Sequence, residues 1–559
     1  MNGRDNYEHH FGVYAFDQKV SLVDQNKWDP VKFKDNCLGL VSKFNVSNSD
    51  EGIKPPEFDY ESIDTYKIKK KLRESWSECN QRRLDEKAFS ELQGRFFYYL
   101  NEYQDILFTN RTIHNSLELR RAYLLHIVNH ILKTRNVVLK NNEKIAKNVG
   151  KDVEYRDQGF TRPKALILLP FRNSALDIVE ILTSLLKDQQ QENRKRFSKE
   201  FGTNFDEEEI ESTKPADYVA TFKGNIDDMF RFGIKFTRKT VKLYTKFYSS
   251  DIIIASPLGL RTIIGGEEDR KRDFDFLSSI EIVVLDQCNA FLMQNWDHIE
   301  HIFEHLNLIP KEAHDCDFSR VKNWYLDGRS KYLRQTIILS DFLTPEMNSL
   351  FNKRMLNIAG KLKIRQTYEG AILDVIPNVN QIFIRVDCSS MQEADDARFK
   401  YFIEKTFPTL RQMYKAHFAI FIPSYFDYVR IRNYFQDNEY SFTSLQDYSS
   451  GSDIARARGH FFNGHRSYLL LTERFHYFRR YVIRGIRHIL FYALPDHSHF
   501  YSELVNMLSL KAGSEEKEDE AISCHILFTK YDQLRMERVV GTNRVQRMIQ
   551  NEKNVFLLS

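Results

Sequence analysis

Apolar positions along the chain alternate between two rhythms. Short runs rich in β-branched and apolar residues stand at Ala165 to Leu169, Ile252 to Ala255, Ile280 to Leu285 and Gln335 to Leu339. Each predicts a strand buried on both faces, as parallel sheets require. A polar turn follows each run: Pro170-Phe171-Arg172-Asn173, Ser256-Pro257, Asp286-Gln287-Cys288-Asn289 and Ser340-Asp341-Phe342. Behind three of these turns apolar residues recur at helical steps, with Ser174 as a cap, Gly259-Leu260-Arg261 opening the second helix and Ala290 to Met293 the third. Earlier, FSELQGRFFYYLNEYQDILF and LELRRAYLLHIVNHILKTRNVVLKNN keep the helical period throughout and predict amphipathic helices. YVATFKGNIDDMFRFGIKF predicts a strand and a glycine turn at Gly224. Repeated strand, turn and helix is the pattern of an α/β fold, whose ligands sit at the carboxyl edge of the strands.

The same rhythm resumes after residues 361–380. HFAIFIPSYFDYVRIRNYF reads as strand, turn and helix, and YSSGSDIARARGHFFNG as a helix carrying Arg456 and Arg458. SYLLLTERFHYFRRYVIRGIRHILFYALP reads as two strands around a basic loop, and CHILFTKYDQLRMERVV as a last strand and helix. The expected division is an N-terminal arm or linker over 1–75, a first lobe with its helical extension over 76–361, and a second lobe over 362–559. The arm is weakly periodic, broken by Pro55-Pro56 and spotted with Lys69-Lys70-Lys71. Residues 187–215, with Asp206 to Glu209, read as a charged surface insertion, and Glu515 to Glu520 as a loop.

Composition narrows the function. The 559 residues are 28% charged and 42% apolar, ordinary for a globular chain of two or three domains. A net charge of +4 demands no polyanion but leaves room for a local basic face. Cys37, Cys79, Cys288, Cys316, Cys388 and Cys524 are dispersed, which fits a reducing compartment rather than a disulfide framework or zinc knuckle. Neither a signal pattern nor an apolar run of membrane length is visible, so a soluble intracellular protein is expected.

Candidate chemistry centres on Asp286. A strand delivering a carboxylate to the sheet edge resembles the motif of a DEAD-box helicase, where Asp binds Mg²⁺ and the next Glu helps activate water. Here that Glu is Gln287. A phosphate loop needs Gly and Gly-Lys-Ser/Thr at fixed spacing. The one nearby candidate, Gly150-Lys151, is followed by Asp152 and has Ile145 where the leading glycine belongs. Ser340-Asp341-Phe342 stands where helicases carry Ser-Ala-Thr. DHSHFYSELVNMLSL, after Pro495, has no arginine where a helicase presents its arginine-rich motif. His301, Glu304 and His305 match H-x-x-E-H, but inside an apolar-periodic helix, so no metal is expected. The turns at Arg172-Asn173, Gly224 and Pro257 with Arg261 are candidate RNA-backbone contacts. So are Arg456, Arg458, Arg474, Arg479 and Arg480, the last three among Phe475, Tyr477, Phe478 and Tyr481, a mixture that suits stacking or a protein interface.

Taken in order, these near-motifs resemble a superfamily-two helicase without its ATP chemistry. More narrowly, LHIVNHILKTRNVVLKNN, RPKALILLPFRNSALDIVE, VVLDQCNAFLMQNWDHI, RQTIILSDFLTPEMNSLF, TERFHYFRRYVIRGIRHILFYALPDHSHFYSELVNML and RVVGTNRVQRMI resemble the digestive organ expansion factor family. Its members are U3 small nucleolar RNA-associated proteins of the small-subunit processome. The resemblance implies two RecA-like α/β lobes and a non-catalytic pseudo-helicase of the nucleolus, needed for processing pre-rRNA and maturing 18S rRNA. It implies pre-rRNA or U3 RNA and other processome proteins as partners, no membrane and no cofactor. The resemblance also implies a long acidic N-terminal arm, which is expected to be short or absent here. The competing readings are an active ATP-dependent RNA helicase with a divergent pocket, and a metal hydrolase using His301 and His305.

Overall fold

Runs of consecutive apolar residues form the parallel centres of two separate sheets. The structure, a computed structural model, describes residues 5–12, 16–46, 63–81, 87–147, 154–202, 214–266, 268–269, 271–510 and 521–558. Pro55-Pro56, Gly150-Lys151, Asp206 to Glu209 and Glu515 to Glu520 lie outside these. The chain divides into two compact units, Met1–Gln366 and Thr367–Ser559. No helix among the described residues is long and apolar enough to cross a membrane.

In unit 1 the strands are β1 Asp29–Asp35, β2 Gly39–Asn45, β3 Asp105–Phe108, β4 Ala165–Leu168, β5 Gln190–Glu192, β6 Arg231–Phe236, β7 Thr240–Thr245, β8 Ile252–Ala255, β9 Ile282–Leu285, β10 Gln335–Leu339 and β11 Lys361–Arg365. They form one sheet in the order β1-β2-β11-β3-β10-β9-β4-β8-β6-β7-β5. From β11 to β8 every pair is parallel, and β3, β4, β8, β9 and β10 are buried at every residue. Helices Ser116–Lys147 and Arg172–Leu185 bury their apolar stripes in the same core. The strand β10 separates β3 from β9, the RecA-like order in which a phosphate-loop strand and an Asp-bearing strand flank a middle strand.

β9 carries a buried carboxylate beyond each end. At its start, Glu281 accepts from the Tyr325 hydroxyl at 2.6 Å and faces the His130 ring at 2.8 Å, with the Lys164 and Lys322 ammonium groups at 3.6 and 3.9 Å. Burial would raise this carboxyl, but Lys164, Lys322 and His130 outweigh it and hold it well below the usual range. At its end stands Asp286.

Unit 2 holds β12 Gln381–Arg385, β13 Phe418–Ile422, β14 Phe442–Leu445, β15 Tyr468–Thr472, β16 His488–Phe491, β17 Ser523–Phe528 and β18 Val555–Leu558, in the order β14-β15-β13-β16-β17-β12-β18. All pairs are parallel except β12 with β18. Apolar clusters cover both faces of this sheet, one around Phe383 and Phe421, the other around Phe402 and Ile420.

Several expectations need correction. The described part of 1–75 is not a solvated arm. β2 pairs with β11, Val41 is 1% exposed, and Tyr7 and Leu38 join the main core. Arg95 ion-pairs Asp35 at the end of β1, tying the hairpin to the helix Glu91–Asn101. The hairpin escaped notice because β1 is exposed over most of its length and carries little apolar signal. The helical reading of FSELQGRFFYYLNEYQDILF also fails at its end. The helix stops at Asn101, and Asp105–Phe108 is the buried strand β3. A boundary at 362 would cut β11, which belongs to the first sheet. Ala216–Phe222 is a helix rather than a strand. The basic loop after β15 opens as a helix, Glu473–Arg479, because the Thr472 hydroxyl caps it by accepting from the Phe475 amide. Within 187–215, Phe197 and Phe201 of the helix Arg194–Phe201 are core residues, so that part is built into the fold.

If the hairpin belongs to the core, Val41→Asp should destabilise the protein by about 4 kcal/mol or more, since it buries an unpaired charge. A solvated arm would absorb the change within about 0.5 kcal/mol. Urea unfolding followed by tryptophan fluorescence distinguishes the two.

Candidate functional site

The carboxyl edge of the unit 1 sheet gathers four charged side chains around one carboxylate. Asp286 leaves β9 fully buried. Gln287 follows in the left-handed region at φ 58°, turning the chain sharply into the helix Cys288–Met293. Strain of this kind in a non-glycine residue survives only where its surroundings hold it. Here the Gln287 side-chain oxygen accepts from Arg120 Nη2 at 3.1 Å and from the Ser174 hydroxyl.

Both oxygens of Asp286 are taken. Arg111 Nε donates to Oδ1 at 2.8 Å, Arg120 Nε donates to Oδ2 at 2.7 Å, and the Tyr123 hydroxyl reaches Oδ2 at 3.2 Å. Arg120 also pairs with Asp177 at 2.6 Å, and Arg111 lies 3.6 Å from Asp341. Asn289 donates to the other Asp341 oxygen at 3.1 Å. Burial works to raise the Asp286 carboxyl, but Arg120 and Arg111 overcome it and hold it below the usual range. Burial likewise works against the Arg120 charge, and Asp286 more than compensates, leaving its pKa raised.

Position gives this cluster its meaning. Arg111 sits in the loop Thr109 to Asn115, between β3 and the helix Ser116–Lys147, and its amide donates to Ser340 O at 3.0 Å. In a nucleotide-binding sheet that loop is the phosphate loop, with glycines so that its amides can wrap the phosphates. This loop has no glycine, and it sends an arginine inward. A magnesium ion needs carboxylate oxygens about 2.0–2.1 Å away in near-octahedral array. Two guanidinium groups already occupy those of Asp286 and would repel a dication. The residues here do not fit a magnesium–nucleotide complex. They supply from within the positive charge that such a complex brings.

The sequence had pointed to Asp286, Gln287, Ser340 and Asp341, and these do converge. It had not pointed to Arg111, Arg120 or Tyr123. The usable signal was Arg120-Arg121 inside an otherwise apolar helical stripe, since arginine is rarely buried without a partner.

The candidate RNA contacts are dispersed. Arg172 donates to Glu200 O and Met229 O at 3.1 and 3.0 Å and pairs with Asp227 at 2.8 Å. The Asn173 amide group donates to Thr221 O and Lys223 O, both at 2.9 Å, and Gly224 follows at φ 92°. Those three fasten a turn. Pro257 is buried at the start of the helix Pro257–Ile264, whose last turn carries Arg261, partly exposed. In unit 2, Arg456 is exposed beside Asp453, and Arg458 donates to Val482 O at 3.1 Å. Arg474 pairs with Asp447 at 3.0 Å, and Arg479 is exposed at a helix end. Arg480 corrects the expectation. It is 5% exposed, stacked 4.3 Å from the Phe500 ring centre and 3.2 Å from Glu503, because its left-handed backbone turns it inward. No arginine follows Pro495 directly, yet Arg535 and Arg538 of the helix Gln533–Val540 reach back to Asp496 at 2.8 and 3.4 Å.

The H-x-x-E-H histidines are occupied. His301 Nε2 lies 3.0 Å from Gly265 O, His305 Nδ1 lies 2.7 Å from His301 O, and Arg272 donates to His305 Nε2 at 2.8 Å. They present no shared metal face.

Comparison with known proteins gives concordant matches. A family described as UTP25, NTP hydrolase-like domain matches residues 103–362, and one described as Utp25, C-terminal domain matches 371–558. A protein of Sclerotinia sclerotiorum named U3 small nucleolar RNA-associated protein 25 is 49% identical over 480 residues, covering 84% of this chain and 66% of its own. The human protein named as the homolog of U3 small nucleolar RNA-associated protein 25 is 43% identical over 570 residues, covering 99% of this chain and 75% of its own. This chain thus spans roughly two thirds to three quarters of those relatives. Among solved structures, the yeast DEAD-box splicing factor Prp28 aligns over 97% of this chain and 96% of its own at 13% identity, with a TM-score of 0.32, too loose to bear on chemistry.

Asp286→Asn leaves two buried guanidinium groups short of their counter-charge and should cost about 3–5 kcal/mol in unfolding free energy. A carboxyl held below its unfolded value, near 4, stabilises the fold above that pH and loses its contribution as pH falls through the lower folded value. Wild-type stability should therefore fall with acid below about pH 4, and Asp286→Asn should show a flatter acid limb when both are unfolded in urea across pH.

Proposed function

This chain belongs to the U3 small nucleolar RNA-associated protein 25 family, and from that premise we propose that it is a non-catalytic pseudo-helicase of the small-subunit processome. It serves ribosome biogenesis in the nucleolus, supporting pre-rRNA processing and 18S rRNA maturation. It does so by holding RNA and other processome proteins rather than by turning over nucleotide. The observation that carries this reading is the filling of Asp286 by Arg111 and Arg120. Phosphoryl transfer draws its rate from positioned metal, phosphate-loop donors and arginine fingers, the last worth about 10³–10⁵ on their own. The chain supports none of these parts: its loop lacks glycine, its carboxylate is already neutralised, Gln287 replaces a general base, and Arg535 and Arg538 are drawn to Asp496.

RNA contact in this reading falls to partly or fully exposed arginines, Arg261 in unit 1 and Arg456 and Arg479 in unit 2. Arg172 and Asn173 shape the turn beside the first of these.

Purified full-length protein should bind no ATP at about 1 mM, the upper end of ordinary KM values, and should release no phosphate with or without single-stranded RNA. RNA-stimulated phosphate release that disappears in Asp286→Ala would replace this reading with that of an active helicase.

A further inference from the structure

One edge of the unit 1 sheet holds twice the net charge of the whole chain. Residues 190–202 and 231–246 cover β5, the helix Arg194–Phe201, β6 and β7. They carry ten Lys and Arg against two Glu, an excess of eight where all 559 residues together have four. The two carboxylates are spent within the edge, Glu192 on Lys242 at 2.9 Å and Glu200 on Arg196 at 2.8 Å. Lys195, Lys199, Lys235, Arg238, Lys239 and Lys246 have no carboxylate partner among the described residues.

The arrangement costs stability. Lys235 of β6 stands directly opposite Lys242 of β7, and Glu192 offsets only one of these two like charges. Arg238 and Lys239 occupy the tip of the same hairpin, both exposed. Edge strands often carry lysine to block pairing with other sheets. That role does not account for these residues, because β6 pairs with β8 and β7, and β7 with β6 and β5, so neither is an edge. Lys235 and Thr237 also border a cavity of about 560 Å³, but Asp157, Asp251, Asp315 and Asp317 line it as well, so the basic surface is the exposed hairpin and not this cavity.

We propose that the β5–β7 edge, with the hairpin cations Lys235, Arg238 and Lys239 and, just after β7, Lys246, is a binding surface for the phosphodiester backbone of RNA. None of these four cations belongs to the Asp286 cluster or to the arginines considered above, although Arg172 touches the edge at Glu200 O, and the proposal rests on the reading that this protein holds RNA. Flexible lysines with few fixed hydrogen-bonding partners track phosphates without reading bases, so the contact is independent of sequence and sensitive to salt. Each phosphate neutralised on a single strand contributes about −0.7 to the slope of log K against log salt.

The test is fluorescence anisotropy of the full-length protein with a labelled oligouridine of about 20 nucleotides, long enough to span one single-strand site. The comparison is wild type with K235Q/R238Q/K239Q/K246Q, both checked for an unchanged unfolding midpoint. The variant should bind about tenfold or more weakly near 0.1 M salt, with a salt slope shallower by about 2–3. Equal affinity and slope in the two proteins would overturn the surface while leaving RNA binding itself standing. A wild type that ignores oligouridine, but binds polyglutamate through the same four cations, would also overturn it and assign the edge to an acidic protein segment. Binding of neither probe would overturn it as well. The ATP assay is independent of all these outcomes, so failure of the non-catalytic reading is seen separately.

Discussion

A carboxylate buried without water must be matched by positive charge, and at Asp286 that charge is covalently part of the chain. Two guanidinium groups and a tyrosine hydroxyl converge on it from the loop and helix that follow β3. The pairing joins β3, β9 and, through Asp341, β10, the three adjacent strands at the centre of the unit 1 sheet. In a nucleotide-driven sheet this junction is left polar and open, so that ligand charge can enter and leave. Here it is closed, and the edge that elsewhere performs chemistry serves as internal structure. Buried ion pairs add little net stability over an apolar core, yet losing one partner is severe. The site therefore tolerates neither substitution of one member nor entry of a competing cation.

Much of this was legible in the chain. Strands β4, β8, β9 and β10 stood out because a parallel strand buried on both faces must be apolar nearly throughout. Asp286, Gln287 and Asp341 followed, being the first polar residues after such runs. What stayed hidden has a common cause. β3 is only Asp105–Phe108, attached to an amphipathic helix whose period overlaps it, and missing β3 meant missing the loop that carries Arg111. Arg120 carries no signature of its own, because charge on a helix usually faces water, and only its partner Asp286 reveals otherwise. The N-terminal hairpin was obscured by Lys32 and Lys34 on the exposed face of β1. Arg480 misled in the opposite direction. Its basic, aromatic neighbourhood suggested an RNA contact, but a left-handed backbone folds it onto Phe500.

A fold offers surfaces for function beyond the edge where Asp286 sits. Two α/β units with well-packed cores provide large rigid surfaces, and function on such scaffolds is decided by local chemistry rather than by architecture. In this protein the net charge of +4 conceals strong segregation along the sequence, with the basic segments 190–202 and 231–246 separated by one that holds Asp206 to Glu209.

Asp286 and its arginines act as one unit if removing one changes what the others contribute. A double-mutant cycle between Asp286→Asn and Arg120→Met, read by urea unfolding of the full-length protein, measures that directly. A coupling energy of about 1.5–3 kcal/mol, the range for residues sharing one charged network, is the predicted result. Effects that add within about 0.5 kcal/mol, as for independent sites, would contradict it.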